Sequence, residues 1–488
     1  MATSAISDVN VAAAAAAHDE KHPKGLYVLF ATEMWERFSF YSMLAMFTLY
    51  LQDPNEGFGW TAAQATGLYA NYLMFVYASP LVGGYIADKF TGYRKAVMIG
   101  GLFFIAGHLL LSFRSMTAVY AALTCLVVGN GFFKPNVSTM VGNLYREGSH
   151  LKDRAYNIFY MGINIGAFAA PLVAGWVRAK WGFHPAFAVA AGGMVISVWI
   201  LWQFKRHVEE PKGNSNAPAT ASPTAATRSG DTAADTAATA TDAPPHGVSR
   251  QDEAAGRSAT MDAVPEWKRI VALCVIFAVV IVFWMVFHQN GSTLTYFADK
   301  NTDWTALFSA ETAAESGGII SNAINPFWVI TLTFPLVFFW GWLDRKGLEP
   351  STPTKMAIGM TLTGLSFLVL YFAAKTGEAS ALGGDPYAFR VSPMWLITSY
   401  FVVTLGELML SPMGLSLVSK VAPIRLRGLM MGGWFVATAI GNKLTQIGVF
   451  WDRWLHSSFF AVLGAMALVM AVVLFLLLKP LKKAMPGV

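Results

Sequence analysis

Apolar residues along this chain arrive in long blocks separated by short polar stretches, and the blocks have the length of a lipid bilayer. A helix needs about 20 predominantly apolar residues to cross the hydrocarbon. Twelve blocks reach that length, alone or with a few small polar residues inside: 26–51, 62–87, 95–113, 117–142, 154–177, 184–204, 268–297, 319–343, 354–373, 392–418, 428–450 and 457–478. The pattern predicts an all-α polytopic membrane protein with 12 transmembrane helices.

The charges between the blocks orient it. With the N-terminus inside, the inward segments hold Lys89, Arg94 and Lys95; Arg146, Lys152 and Arg154; Lys205 and Arg206; Arg345, Lys346 and Lys355; Lys420, Arg425 and Arg427; and Lys479, Lys482 and Lys483. The outward segments are poorer in Lys and Arg and carry acids such as Asp53, Glu56, Asp303, Glu311 and Glu315. This positive-inside asymmetry places both termini in the cytoplasm. The stretch 207–265 differs in kind: it is rich in Ala, Thr, Asp, Pro, Ser and Gly and has too few large apolar residues to bury a core. The expected organisation is a disordered cytoplasmic tail (1–25), a six-helix bundle (26–206), a disordered cytoplasmic linker (207–265), a second six-helix bundle (266–479) and a short cytoplasmic tail (480–488).

Composition agrees with the pattern. Of 488 residues 55% are apolar and 13% charged, against about 25% charged in soluble domains. The net charge of +6 sits in short loops, where it orients the chain in lipid, so no nucleic-acid partner is expected. Cys125 and Cys274 both lie in apolar blocks, which argues against a disulfide framework. Ala12–Ala17 is too short for a signal peptide and has no positive charge before it. No dinucleotide or P-loop fingerprint and no zinc spacing occurs, so neither cofactor nor metal is expected. An ATP-driven pump would need such a domain; a gradient-driven transporter would not.

Charges inside spanning helices are costly and mark function. The first block contains EMWERFSFY, in which Glu33, Glu36 and Arg37 stand at i, i+3 and i+4 and project to one side, continued by Phe40 and Tyr41. They predict a charged wall of a central cavity; the alternative is a cluster at the cytoplasmic edge that snorkels. In GNGFFKPN of the fourth block, Lys134 needs a carboxylate, and Glu33 and Glu36 are the candidates in its half. In GELMLSPMG of the tenth block, Glu407 and Ser411 lie between apolar runs; Glu407 either faces the cavity or bonds a neighbouring helix. Cations on one side and a carboxylate on the other suit a zwitterion. Asn164 and Asn325 either bond a solute or pack between helices. His288 either titrates near neutral pH or packs. Trp434 and Phe435 line a pocket or a lipid interface, and Lys443 snorkels. Asp88, Gly92, Arg94 and Lys95, in GGYIADKFTGYRK, form a tight loop that either sets topology or latches the halves.

From these residues the chain resembles the proton-coupled oligopeptide transporter family of the major facilitator superfamily, over essentially every spanning segment from about 26 to 478. The motifs are EMWERF at Glu33, GNGFFKPNVS at Lys134, FYMGINIGA at Asn164, NPFW at Asn325, GELMLSP at Glu407 and the GGW stretch at Trp434. The loop motif at Asp88 matches the superfamily in general. The resemblance implies that Glu33, Glu36, Arg37 and Lys134 couple protonation to binding, with His288 taking part. It implies that Arg37 and Lys134 meet a peptide carboxylate, Glu407 its ammonium, Asn164 and Asn325 its backbone, and Tyr41, Tyr77, Ser411 and Trp434 its remaining contacts. Departures are Phe40 for the first tyrosine of a Tyr-Tyr pair, Ser42 for the following glycine, and His288 and Leu44 where many members carry an acid and its arginine partner. The extracellular ion pair of those members is therefore not expected. The polar linker also cannot supply the two extra helices of many bacterial members.

The resemblance thus implies a proton/di- and tripeptide symporter of the bacterial cytoplasmic (inner) membrane that works by alternating access as a functional monomer in contact with lipid, and not an enzyme. Proton-coupled transport of an amino acid, nitrate or a peptide-like compound is the alternative, and a non-transporting sensor the more distant one.

Overall fold

A computed structural model describes residues 22–145, 151–208, 261, 263–381 and 385–486. Fourteen α-helices form among them: α1 (Lys24–Gln52), α2 (Ala62–Ile86), α3 (Tyr93–Leu111), α4 (Met116–Asn143), α5 (Leu151–Trp181), α6 (Phe183–Gln203), α7 (Glu266–Phe287), α8 (Thr293–Lys300), α9 (Ala310–Ser321), α10 (Ile324–Asp344), α11 (Thr352–Ser380), α12 (Met394–Val421), α13 (Arg427–Leu444) and α14 (His456–Ala484). Helix starts follow the local sequence. Pro23 precedes α1, and Thr61 and Gln64 close a reciprocal capping box at the start of α2.

Two expected spans are not continuous. The seventh, 268–297, breaks into α7, a 3₁₀ turn at His288–Gly291, and α8. At this turn Tyr69 of α2 comes so close that a Cβ on Gly291 would lie 2.0 Å from its Oη, so only glycine permits the approach. The eighth, 319–343, breaks into α9 and α10 at Asn322–Ala323. Pro326 lies one turn beyond and has no N–H for the carbonyl of Asn322. The eleventh ends as α-helix at Leu444 and continues as a 3₁₀ turn, Thr445–Phe450. Only the edges of the expected linker, 207–265, fall among the described residues. His207 belongs to a 3₁₀ turn, and Val208 and Met261 are both buried. Positions 209–260 and 262, with 1–21, Arg146 and the last two residues, lie outside the described residues.

Buried apolar side chains form two main cores. One draws almost wholly on residues 26–208 and the other on 261–485. In the first set α1 packs on α2, α5 and α6, α4 on α2 and α3, and α3 on α6; in the second α7 packs on α13 and α14, α11 on α12 and α14, and α10 on α12. The sets meet where α5 touches α9 and α10 and where α2 touches α13 and the Thr445 turn. Polar contacts mark this seam toward the Asp53 end. Ser316 Oγ donates to Gly175 O (2.5 Å), Thr48 Oγ1 to Gly291 O (3.1 Å), and Thr66 shares a hydrogen bond with Tyr296 Oη (3.0 Å). Arg178 pairs with Glu315 across the seam and lies 3.6 Å from Asp53 in its own set.

The molecule is all-α and polytopic. Eight segments of the described residues are long and apolar enough to cross a membrane: α3 to α6, the α7–α8 pair, α10, α11 and α14. The first helix, although 29 residues long, falls short in mean hydropathy because Glu33, Glu36 and Arg37 sit within it. Exposed Trp residues carry lysines at the helix ends, Trp202 with Lys205 and Trp342 with Lys346 at one end and Trp176 with Lys180 at the other. These amphipathic pairs suit the two lipid–water interfaces.

Candidate functional site

The two helix breaks and Glu407 converge on one cavity. It lies near the midpoints of α1, α2, α5 and α12, between the two helix sets, and holds roughly 790 Å³ of space including its mouth. Discontinuous helices are how membrane proteins bring backbone and polar side chains to mid-bilayer without exposing them to lipid. Here the α7–α8 break delivers His288 and Asn290, and the α9–α10 break delivers Asn322 and Asn325.

One wall is made of amides and a carboxylate. Thr404 and Glu407 stand at i, i+3 on α12, and Asn325 Nδ2 donates to both, to Thr404 Oγ1 at 2.9 Å and Glu407 Oε2 at 2.8 Å. Both Nδ2 hydrogens are thereby committed, so Asn325 offers a ligand its Oδ1, an acceptor. Asn322 likewise spends Nδ2 on Thr295 Oγ1 (3.1 Å) and Gly318 O (3.2 Å). Asn164 Nδ2 donates back to Tyr160 O at 2.9 Å. This wall therefore presents oxygens to groups that bear N–H.

The rest of the lining is largely aromatic and forms a second wall: Phe40 and Tyr41 of α1, Tyr77 of α2, Trp284 and Phe287 of α7, and His288 of the turn that follows it. His288 stacks on Trp284 (centroids 5.0 Å apart, 21°) and meets Tyr77 edge-on at 5.6 Å, so it joins the two helix sets.

The charged cluster lies behind this wall. Arg37 Nε is 2.5 Å from Glu36 Oε2 and 3.2 Å from Glu33 Oε1, and Arg37 Nη2 donates to Glu36 Oε1 at 2.8 Å. Glu33, Glu36 and Arg37 are all at most 2% exposed. The expected charged surface of the cavity is thus covered. Arg37 Cζ lies 5.2 Å from the Phe40 ring centre, and Lys134 Nζ lies 5.0 Å from that of Tyr77. A buried guanidinium flanked by two carboxylates is satisfied in a low dielectric, and Arg37 and Lys134 each lie over a ring, Phe40 and Tyr77, that lines the cavity. Lys134 is placed by Pro135 and by close α2–α4 packing, where Gly83 lies against the carbonyl of Gly131.

Other expected residues lie elsewhere. Trp434 is 3% exposed and packs edge-on against Phe277 (6.4 Å), away from the described cavity lining. Ser411 lies on α12, but its side chain is outside those described. Asp88 and Lys95 are exposed and Arg94 half-buried around a π-helical turn, Ala87–Thr91, ended by Gly92 at φ 72°, remote from the cavity. Lys443 does not snorkel: its Nζ donates to Asn71 Oδ1 of α2 at 2.5 Å, across the seam. Asn290, Asn322 and Trp284 are lining residues that sequence reasoning missed. The Asn-Gly and Asn-x-x-Asn-Pro patterns at the breaks are the signals that could have found them.

Known proteins share this architecture. Residues 94–450 match the family model PTR2, described as the POT family. The chain is 32% identical to the transporter YclF of Bacillus subtilis over 96% of each protein, and 28% identical to the di-/tripeptide transporter of Lactococcus lactis subsp. lactis, covering 96% of this chain and 97% of that one. It superposes on a crystal structure of a peptide transporter POT in complex with sulfate with a TM-score of 0.77, at 30% identity and over 96% of each chain. Breaks, cavity, buried ion cluster and these matches together place the chain in the POT family, the proton-dependent oligopeptide transporters.

Proposed function

We propose that this chain carries di- and tripeptides inward with protons through the cavity between its helix sets. As a family member it is a proton-coupled symporter of the bacterial inner membrane and not an enzyme. The peptide reading is carried by one observation: the Glu407 carboxylate, which accepts from Asn325 Nδ2, at one wall, with Arg37 and Lys134 over rings of the other. A short zwitterion with an amide backbone matches this arrangement. Its ammonium meets Glu407, its N–H groups meet the oxygens of Asn164 and Asn325, and its carboxylate approaches the cations. Relatives described as di-/tripeptide transporters, and a POT structure in complex with alafosfalin, support the same reading.

In this scheme twelve crossings form two six-helix halves with both termini in the cytoplasm. The end bearing Asp53 is then the outside, and the seam contacts close it, so this conformation faces inward. A proton on Glu33 or Glu36 weakens their hold on Arg37 and releases Lys134 from the carboxylate it otherwise pairs with, and both cations turn to the peptide. Loss of the proton inward restores the cluster and expels the peptide. One chain supplies the whole cavity, so the monomer is the transporting unit.

Purified protein in proteoliposomes tests this. Dialanine uptake is expected to require an inward proton gradient, and counterflow to proceed without one. Failure of both would sink the peptide reading.

A further inference from the structure

We infer that Thr404 is a positioning residue for the ligand's ammonium: it takes one Nδ2 hydrogen of Asn325 and so turns the Asn325 carbonyl, and not its NH2 group, toward the cavity. This rests on the peptide reading above and deepens it. Thr404 is fully buried and stands outside the described cavity lining, whereas Asn325 and Glu407 belong to that lining. What Thr404 does for a ligand it therefore does through Asn325.

The chemistry of the three groups fixes the arrangement. A carboxylate only accepts hydrogen bonds, so the end of the amide that meets Glu407 is Nδ2, at 2.8 Å. With that bond alone the amide can still pivot about it. The second bond, to Thr404 Oγ1 at 2.9 Å, holds the amide plane, because Thr404 and Glu407 stand about one turn apart on the same face of α12. Without the hydroxyl the second Nδ2 hydrogen loses its acceptor and turns to the cavity. An ammonium carries donors alone, so a donor beside Glu407 opposes it, whereas a carbonyl oxygen at the same place is tolerated. Packing of α10 on α12 does not depend on this hydroxyl. Further along α10, Trp328 Nε1 donates to Ile397 O of α12 at 3.3 Å, and its ring meets Phe401 edge-on at 4.9 Å.

The test uses the full chain in proteoliposomes. It measures the KM and maximal rate of labelled dialanine uptake, and inhibition of that uptake by N-acetyl-dialanine, which carries an amide where dialanine has its ammonium. Thr404→Val is expected to raise the KM about three- to tenfold, the range one neutral hydrogen bond gives. The maximal rate and the inhibition by N-acetyl-dialanine are expected to change less than about twofold. Thr404→Ser, which keeps the acceptor, is expected to return the wild-type KM. Thr404→Ala removes the same hydroxyl within a smaller side chain and replaces the valine variant if that one does not fold. An unchanged KM in a folded valine or alanine variant overturns the inference, as does a serine variant no better than the valine one. Equal losses for dialanine and N-acetyl-dialanine overturn it too, because they mark a general disturbance of the helices. So does a comparable further rise in KM when Thr404→Val is added to Asn325→Ala. A wild-type protein that takes up no dialanine at all refutes the peptide reading itself.

Discussion

At the scale of the residue, the buried charges decide what the cavity can do. Glu407 is 4% exposed and bonded by Asn325, and a charge-assisted bond to a ligand ammonium is worth about 1.5–3 kcal/mol. Glu407→Gln is therefore expected to weaken dialanine by roughly ten- to a hundredfold and N-acetyl-dialanine much less; equal losses would reject the ammonium role. Glu36 grips Arg37 through both oxygens. Glu36→Gln is expected to lower proton-driven uptake at least about tenfold while counterflow persists. Driven accumulation at the wild-type rate would move the coupling proton elsewhere. These charged residues were legible in the sequence because an ion amid apolar residues has few structural explanations. Asn290 and Asn322 were not, since asparagine is common at helix ends and its role here depends on where two helices break. That Arg37 lies over Phe40 and Lys134 over Tyr77 was equally illegible, because the second contact depends on packing between α2 and α4.

Among the elements, glycine contacts position the site. A Cβ on Gly83 would fall 1.9 Å from Gly131 O, a backbone atom one turn from Lys134, whereas one on Gly192 would meet nothing within 4 Å. Gly83→Val must push α2 away from α4, an overpacking cost of about 1–3 kcal/mol or more. It is expected to lower the melting temperature in detergent and displace Lys134, with Gly192→Ala as a silent control. A melting curve unchanged by Gly83→Val would show that the two helices can part without cost. Most helix positions were readable from apolar block length. The breaks at His288 and Asn322 were not, because a hydropathy pattern registers apolar residues and not the direction of the backbone through them.

For the whole molecule, the seam between the helix sets governs which side the cavity faces. Arg178 lies between Asp53 of its own set and Glu315 of the other and above the Phe183 ring. When the seam opens Arg178 keeps Asp53, so opening strands no bare charge. Glu315 is half exposed, 48%, which screens the pair toward the about 0–1 kcal/mol of surface ion pairs. Glu315→Gln is accordingly expected to raise outer-side accessibility a few-fold. The measurement is the labelling rate of a cysteine at Thr66, buried beside Tyr296, by a membrane-impermeant maleimide, with Cys125 and Cys274 replaced by serine. An unchanged rate would exclude this pair as a latch.

By itself the sequence determined that the chain is a helical membrane protein, which charges stand inside its apolar blocks (Glu33, Glu36, Arg37, Lys134 and Glu407), and which family to expect. Bilayer thickness and the cost of burying charge act on composition and local spacing, which a linear chain displays directly. Only the tertiary structure decided that Glu407 holds Asn325, that Trp434 packs in the core, that two interrupted helices deliver asparagines to the cavity, and that lining rings lie against Arg37 and Lys134. Those arrangements depend on contacts between helices far apart in the chain, and the direction a side chain takes at mid-bilayer is set by the helix that packs against it.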